Sequence, residues 1–146
     1  MTLFEAKEYD PSVEKRRRMY AIAGLVLAAF FAFLVYHFWD WREEHAVSKF
    51  LTAIEHKDYE RAYTIWNADP NWKQHPQKFT RYPYAEFYQD WGPGGEWGLV
   101  NSYHVEGSDT PKGGSGVVVV VTVNHRSEPA RLWVEKSDKT LTFSPY

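Results

Sequence analysis

Hydrophobic and polar positions follow three regimes along the chain. Residues 20–39, YAIAGLVLAAFFAFLVYHFW, form an unbroken apolar run with no charged residue and no proline. At about 1.5 Å per residue, a helix over this run is about 30 Å long, the thickness of a bilayer's hydrocarbon core. From residue 43 to 91 the apolar positions recur at helical spacing: Val47, Phe50, Leu51 and Ile54, then Tyr59, Ala62, Tyr63 and Trp66, then Tyr84, Phe87, Tyr88 and Trp91. Asp58 suits the cap of the second helix, and Asn67-Ala68-Asp69-Pro70 ends it. Pro83 opens the third, and Gly92-Pro93-Gly94-Gly95 stops it. Beyond residue 98 the pattern becomes that of strands, at 99–105, 117–123, 130–136 and 140–144. Residues 106–116 are polar and glycine-rich, the composition of a long hairpin loop. Residues 117–123 are nearly all valine, which predicts a strand buried on both faces. Short connections predict an antiparallel meander. The expected class is α+β: one transmembrane helix, then three helices packed on a curved antiparallel sheet of about four strands.

These regimes divide the chain into a tail (1–19), a transmembrane helix (20–39) and a domain (42–146). Asp10-Pro11 reads as a helix start, with Glu14 in the first turn where the helix dipole favours an anion. Lys15, Arg16, Arg17 and Arg18 abut the apolar run, whereas Asp40-Trp41-Arg42-Glu43-Glu44 beyond it is acidic on balance. The positive-inside rule then places the N-terminus in the cytoplasm and the domain outside, periplasmic or extracellular, as a single-pass protein of a bacterial inner membrane. The same four cations suit anionic lipid headgroups. A cleaved signal peptide would have a shorter apolar core followed by small residues. This run ends instead in aromatics suited to an interfacial belt, as in an uncleaved signal-anchor. Ala21, Gly24, Ala28 and Ala32 form a small-residue stripe that lets a partner helix approach closely. His37 is the run's only ionisable group. It lies within a turn of the outer end, and a haem there would need a second ligand from elsewhere. No Gly or Pro occurs from Leu25 to Asp69, so no helix breaker separates the anchor from the first domain helix, and the sequence leaves open whether the two are continuous.

Charge and composition narrow the function. The net charge of −2 averages a basic tail with an acidic domain, and nothing resembles a nucleic-acid footprint. The chain has no cysteine, which excludes disulfides, thiolate metal sites and acylation at a lipobox. The histidines show no metal-ligand spacing, and neither Gly92–Gly95 nor Gly113–Gly116 is followed by the Lys-Ser/Thr of a phosphate loop. No cofactor is implied. Seven Trp, ten Tyr and nine Phe are abundant enough to build much of a small core. Trp72 and Phe79 fall instead in a polar loop, where aromatics suit an interface.

The run from Val47 to Tyr63, VSKFLTAIEHKDYERAY, resembles the opening of NTF2-like (cystatin-like roll) domains, as does Tyr84-Ala85-Glu86-Phe87 followed by Trp91-Gly92. The resemblance covers roughly residues 43–144. The final strand departs from it, with Leu141-Thr142-Phe143 where many members carry a Trp-Lys-Ile-type ending. It implies a conical pocket between sheet and helices, for which the candidates are Tyr63, Trp66, Phe87, Trp91, Tyr103, His104 and Trp133. Some relatives of that fold use an Asp or His there for proton transfer, and His104 is the residue in question here. No carboxylate is tied to it by spacing. The expected role is therefore non-enzymatic: an accessory, assembly or structural subunit of a membrane complex, whose partners are other membrane subunits and lipids. The alternative is a pocket for a small apolar ligand or an isomerase- or dehydratase-like reaction.

Overall fold

The computed structural model describes residues 11–146; Asp10, the expected cap, lies outside the described residues, as does the side chain of His37. The chain divides into two compact units with the break after Trp39. The first holds α1 (Pro11–His37), long and apolar enough to cross a membrane by length and composition. From Tyr20 to Tyr36 every large apolar side chain except Leu34 is at least 54% exposed.

Residues 38–40 are a turn that separates α1 from α2 (Trp41–Glu55). Neither Gly nor Pro is needed to break the helix. The Trp39 N–H reaches back only to Tyr36 O, at 3.5 Å, and Asp40 leaves helical geometry at φ −104° and ψ 13°. Its carboxylate accepts from Thr110 Oγ1 at 3.3 Å and lies 3.5 Å from Lys136 Nζ, which commits this residue to the second unit.

The second unit is α+β. α2 is followed by α3 (Tyr59–Trp66), capped by Asp58 Oδ1 accepting from the Arg61 N–H at 3.1 Å. Two short 3-10 turns, Trp72–Gln74 and Pro76–Phe79, lead to α4 (Tyr84–Trp91), with Pro83 before it and Gly92 after it. An open antiparallel sheet follows in the order β1 (Tyr103–Asp109), β2 (Gly116–Val123), β3 (Ala130–Glu135) and β4 (Leu141–Phe143).

Three strand expectations change. The first strand begins at Tyr103 rather than 99, because the Asn124 side chain occupies the preceding backbone. Its Oδ1 accepts from the N–H groups of Asn101 (2.8 Å) and Ser102 (3.3 Å), and its Nδ2 donates to Leu99 O at 2.8 Å. The same strand runs on to Asp109 through residues expected in a loop. Register moves from Val105↔Val121 to Gly107↔Val120, leaving Glu106 as a bulge, and Gly107 takes φ +154°. Finally, the valine strand is buried unevenly. Val117, Val119, Val121 and Val123 are fully buried under the helices, whereas on the other face Val118 is buried and Val120 only partly so. That outer face has cover at one point: Trp133, opposite Val118, with its ring against Gly114 and Gly116 and 5.9 Å from Tyr146. A Cβ at Gly116 would collide with that ring and with Val134 O.

Helix α2 packs against β1, β2 and β3, and α3 packs against α2 and α4. Phe50 stands where they converge, with ring centroids 4.9 Å from Trp91, 5.3 Å from Trp66 and 6.1 Å from Phe87. Phe50→Ala should therefore cost about 3–5 kcal/mol of unfolding free energy, the range for emptying a buried aromatic site. Phe143→Ala, at a ring 47% exposed, should cost clearly less. Denaturant unfolding of the full-length protein in mild detergent measures both; equal losses would contradict the placement of Phe50 at the centre.

Candidate functional site

Four of the residues expected to line a pocket lie in the buried core of the second unit. Tyr63, Trp66, Phe87 and Trp91 are each at most 3% exposed. Tyr63 makes edge contacts with Trp72, Phe79, Tyr84 and Phe87 at 4.8–6.2 Å, and Trp91 lies parallel to Phe143 at 6.0 Å. These rings fill the space between helices and sheet. Tyr103 and His104 are successive residues of β1 and point to opposite faces. Tyr103 turns inward, its hydroxyl 2.8 Å from both Ser48 Oγ and Thr52 Oγ1 of α2. His104 is exposed on the outer face, opposite Thr122 of β2. A base at His104 would act on the side of the sheet away from the helices.

The interior phenols are poorly suited to proton transfer at neutral pH. Burial pushes the Tyr63 hydroxyl up. Burial first, then donation to Asp90 Oδ2 at 2.7 Å, pushes Tyr82 well above its ordinary range. Among the described residues no group of three or more His, Asp or Glu is placed to hold a metal ion.

Trp72 and Phe79, the candidate loop interface, are half-buried. Trp72 stacks on Tyr84 at 5.2 Å, and its indole N–H donates to Thr64 Oγ1 at 3.2 Å. Both rings fasten the 67–83 segment to the core. The same segment holds an aspartate–histidine pair, with His75 Nε2 2.5 Å from Asp69 Oδ2 and the Asn71 N–H donating to Asp69 Oδ1 at 2.8 Å.

Two features outside the aromatic interior remain. On α1, Ala21, Gly24, Ala28 and Ala32 fall within about 80° of arc, at about 100° per residue. All four are exposed, and a Cβ added at Gly24 would meet nothing within 4 Å. Lys15 to Arg18 lie on the same helix, with Arg18 Nη2 2.6 Å from Glu14 Oε1. The second feature is a polar collar at the first turn of α2. Glu43 is 4% exposed and accepts from Lys139 Nζ at 2.7 Å, and Lys139 also donates to Lys136 O at 2.5 Å. Glu44 Oε1 accepts from Ser108 Oγ at 2.7 Å, and Lys136 Nζ donates to Thr110 Oγ1 at 3.2 Å. Sequence reading missed Glu43, which looks like one more solvated acid in an acidic run. Its partner is 96 residues away.

Compared with known proteins, the chain matches no family model, no curated protein and no solved structure.

Lys139 holds its place at φ +65°, a left-handed conformation that costs a non-glycine residue about 1–2 kcal/mol. Lys139→Gly would remove that strain and leave the Glu43 carboxylate buried without its cation. Breaking a buried pair costs about 3 kcal/mol at the low end, the appropriate end for a lysine about a quarter exposed. The variant should lose about 1–2 kcal/mol in denaturant unfolding; a gain in stability would show that backbone strain outweighs the pair.

The hydrogen bond from His75, then that from the Asn71 N–H, hold Asp69 below the ordinary aspartate range. Folded Asp69 therefore binds its proton less readily than the unfolded chain does. Its contribution is complete above that range and is lost as pH falls through the depressed value. Loosening of residues 69–75 is expected below about pH 4, with Asp69→Asn abolishing the step. Carboxyl carbon chemical shifts measure it, and a midpoint at or above the ordinary aspartate value would refute the coupling.

Proposed function

We propose that this chain is a single-pass, membrane-anchored accessory, assembly or structural subunit of a bacterial membrane complex, acting through protein–protein contacts. The observation that carries the reading is α1, whose apolar side chains from Tyr20 to Tyr36 are exposed nearly throughout. In water such a surface is strongly unfavourable; in a bilayer, or against partner helices, it is satisfied. The four cations Lys15 to Arg18 support a cytoplasmic N-terminus and a domain outside the inner membrane. The exposed small-residue stripe supports close packing by a partner helix. The order of three helices and then a four-strand meander supports an NTF2-like domain. The ring-filled interior weighs against the alternative of a ligand pocket or an isomerase-like site.

The test has two parts. The full-length protein should remain in the membrane fraction after alkaline carbonate washing. The double variant Gly24→Leu/Ala28→Leu should stay there too while losing, at least tenfold, the proteins that co-purify with the tagged wild type. Release of the wild type by carbonate would end the anchor reading. Undiminished co-purification of the double variant would end the stripe's role as partner interface.

A further inference from the structure

Apart from the aromatic core and the polar collar, the second unit carries a groove of about 360 Å³, within the size range of small-ligand sites. One wall is a stripe of α2 in which exposed Arg42, His45 and Lys49 and half-buried Ala46 follow i, i+3, i+4, i+7 spacing. Trp41 belongs to the same wall, its ring stacked on His45 at 5.1 Å and 9°. Ile65 and Ala68 of the α3 end and Lys139 of the β3–β4 turn face it.

The charge in this groove is uncompensated. Neither Arg42 nor Lys49 has a carboxylate three or four residues away on the helix, and neither forms an ion pair among the described residues. Lys139 is spoken for by Glu43. Asp58, in the adjoining groove, is engaged as the cap of α3. Two exposed cations thus stand on one side of a groove whose aromatic wall can lie along an aliphatic or glycerol surface.

The covalent chain limits how far the cations of this groove can lie from the apolar run. At about 3.8 Å between successive Cα atoms, Arg42 cannot lie more than about 11 Å from Trp39, the last residue of the apolar run. Lys49 is seven residues further along α2, about 10 Å at helical rise. Given the membrane reading of α1, on which this inference rests, Arg42 stands within about 11 Å of the end of the apolar run and Lys49 within about 21 Å, distances that leave the Arg42 side chain within reach of the headgroups. We infer that the Arg42–Lys49 groove binds the phosphodiester headgroup of an anionic phospholipid. The guanidinium of Arg42 and the ammonium of Lys49 take the phosphate oxygens, and Trp41 takes the apolar edge. The site is separate from Lys15 to Arg18, which lie on the other side of the apolar run.

Native mass spectrometry of the full-length protein in a neutral detergent tests this. Phosphatidylglycerol is titrated against phosphatidylcholine, for the wild type and for Arg42→Gln/Lys49→Gln. Both substitutions are at exposed side chains and leave the Glu43–Lys139 pair intact, and near-UV circular dichroism checks that the fold is unchanged. At about 1 kcal/mol per basic residue near an anionic surface, the double variant should bind phosphatidylglycerol about thirtyfold more weakly, with phosphatidylcholine unaffected. Equal binding of phosphatidylglycerol by both proteins would overturn the inference. So would millimolar inorganic phosphate displacing the lipid from the wild type, which would make the groove a free-anion site. Carbonate extraction of the wild type reports on α1 alone, so loss of the anchor reading and loss of the headgroup site are read separately.

Discussion

The second unit depends on one constraint: Phe50 must be surrounded. It projects from α2 into a nest of Trp66, Phe87 and Trp91, and no helix of the unit is long enough to stand alone in water. α3 and α4 have eight residues each, so their stability comes from the rings they contribute. Edge-on aromatic pairs add about 0.5–1.5 kcal/mol each beyond area burial, and this interior is built from them. These rings pack the centre of the second unit, and its ion pairs lie toward the surfaces around them.

Those surfaces are organised by the start of α2. Asp40, Glu43 and Glu44 are successive anchors for Lys136, Lys139, Thr110 and Ser108, which tie the helix's first turn to β1 and to the β3–β4 turn. A buried charge such as Glu43 is tolerable only with its cation in place. In return the residues immediately after the apolar run are fixed to the domain rather than left as a free linker. Arg42, between two of these acids, is then held outward by its position on the helix.

Much of the fold was legible because its signals were local. The three domain helices announced themselves through rings at helical spacing and through Asp58, Pro83 and Gly92 at their ends. The valine run could hardly be anything but a central strand. What escaped was set by partners far away in sequence. Residues 106–109 look like a loop because β1 is an edge strand that tolerates polar residues, and Glu106 and Gly107 are a bulge. The inward turn of Tyr103 rather than His104 follows from Ser48 and Thr52 on α2, and no alternation in β1 itself distinguishes the two faces. The break at residues 38–40 has no Gly or Pro to mark it, since Asp40 is pulled out of helical geometry by groups about 70 and 96 residues downstream. Trp72 and Phe79 carry loop composition yet serve the core through Tyr63 and Tyr84.

The most direct measurement of the central claim is the native size and composition of the tagged full-length protein after extraction from its own membrane in mild detergent, by native gel and mass spectrometry. A subunit held by its exposed anchor migrates in a larger assembly with a fixed ratio of partners. Migration alone, with no stoichiometric partner, would contradict the subunit reading.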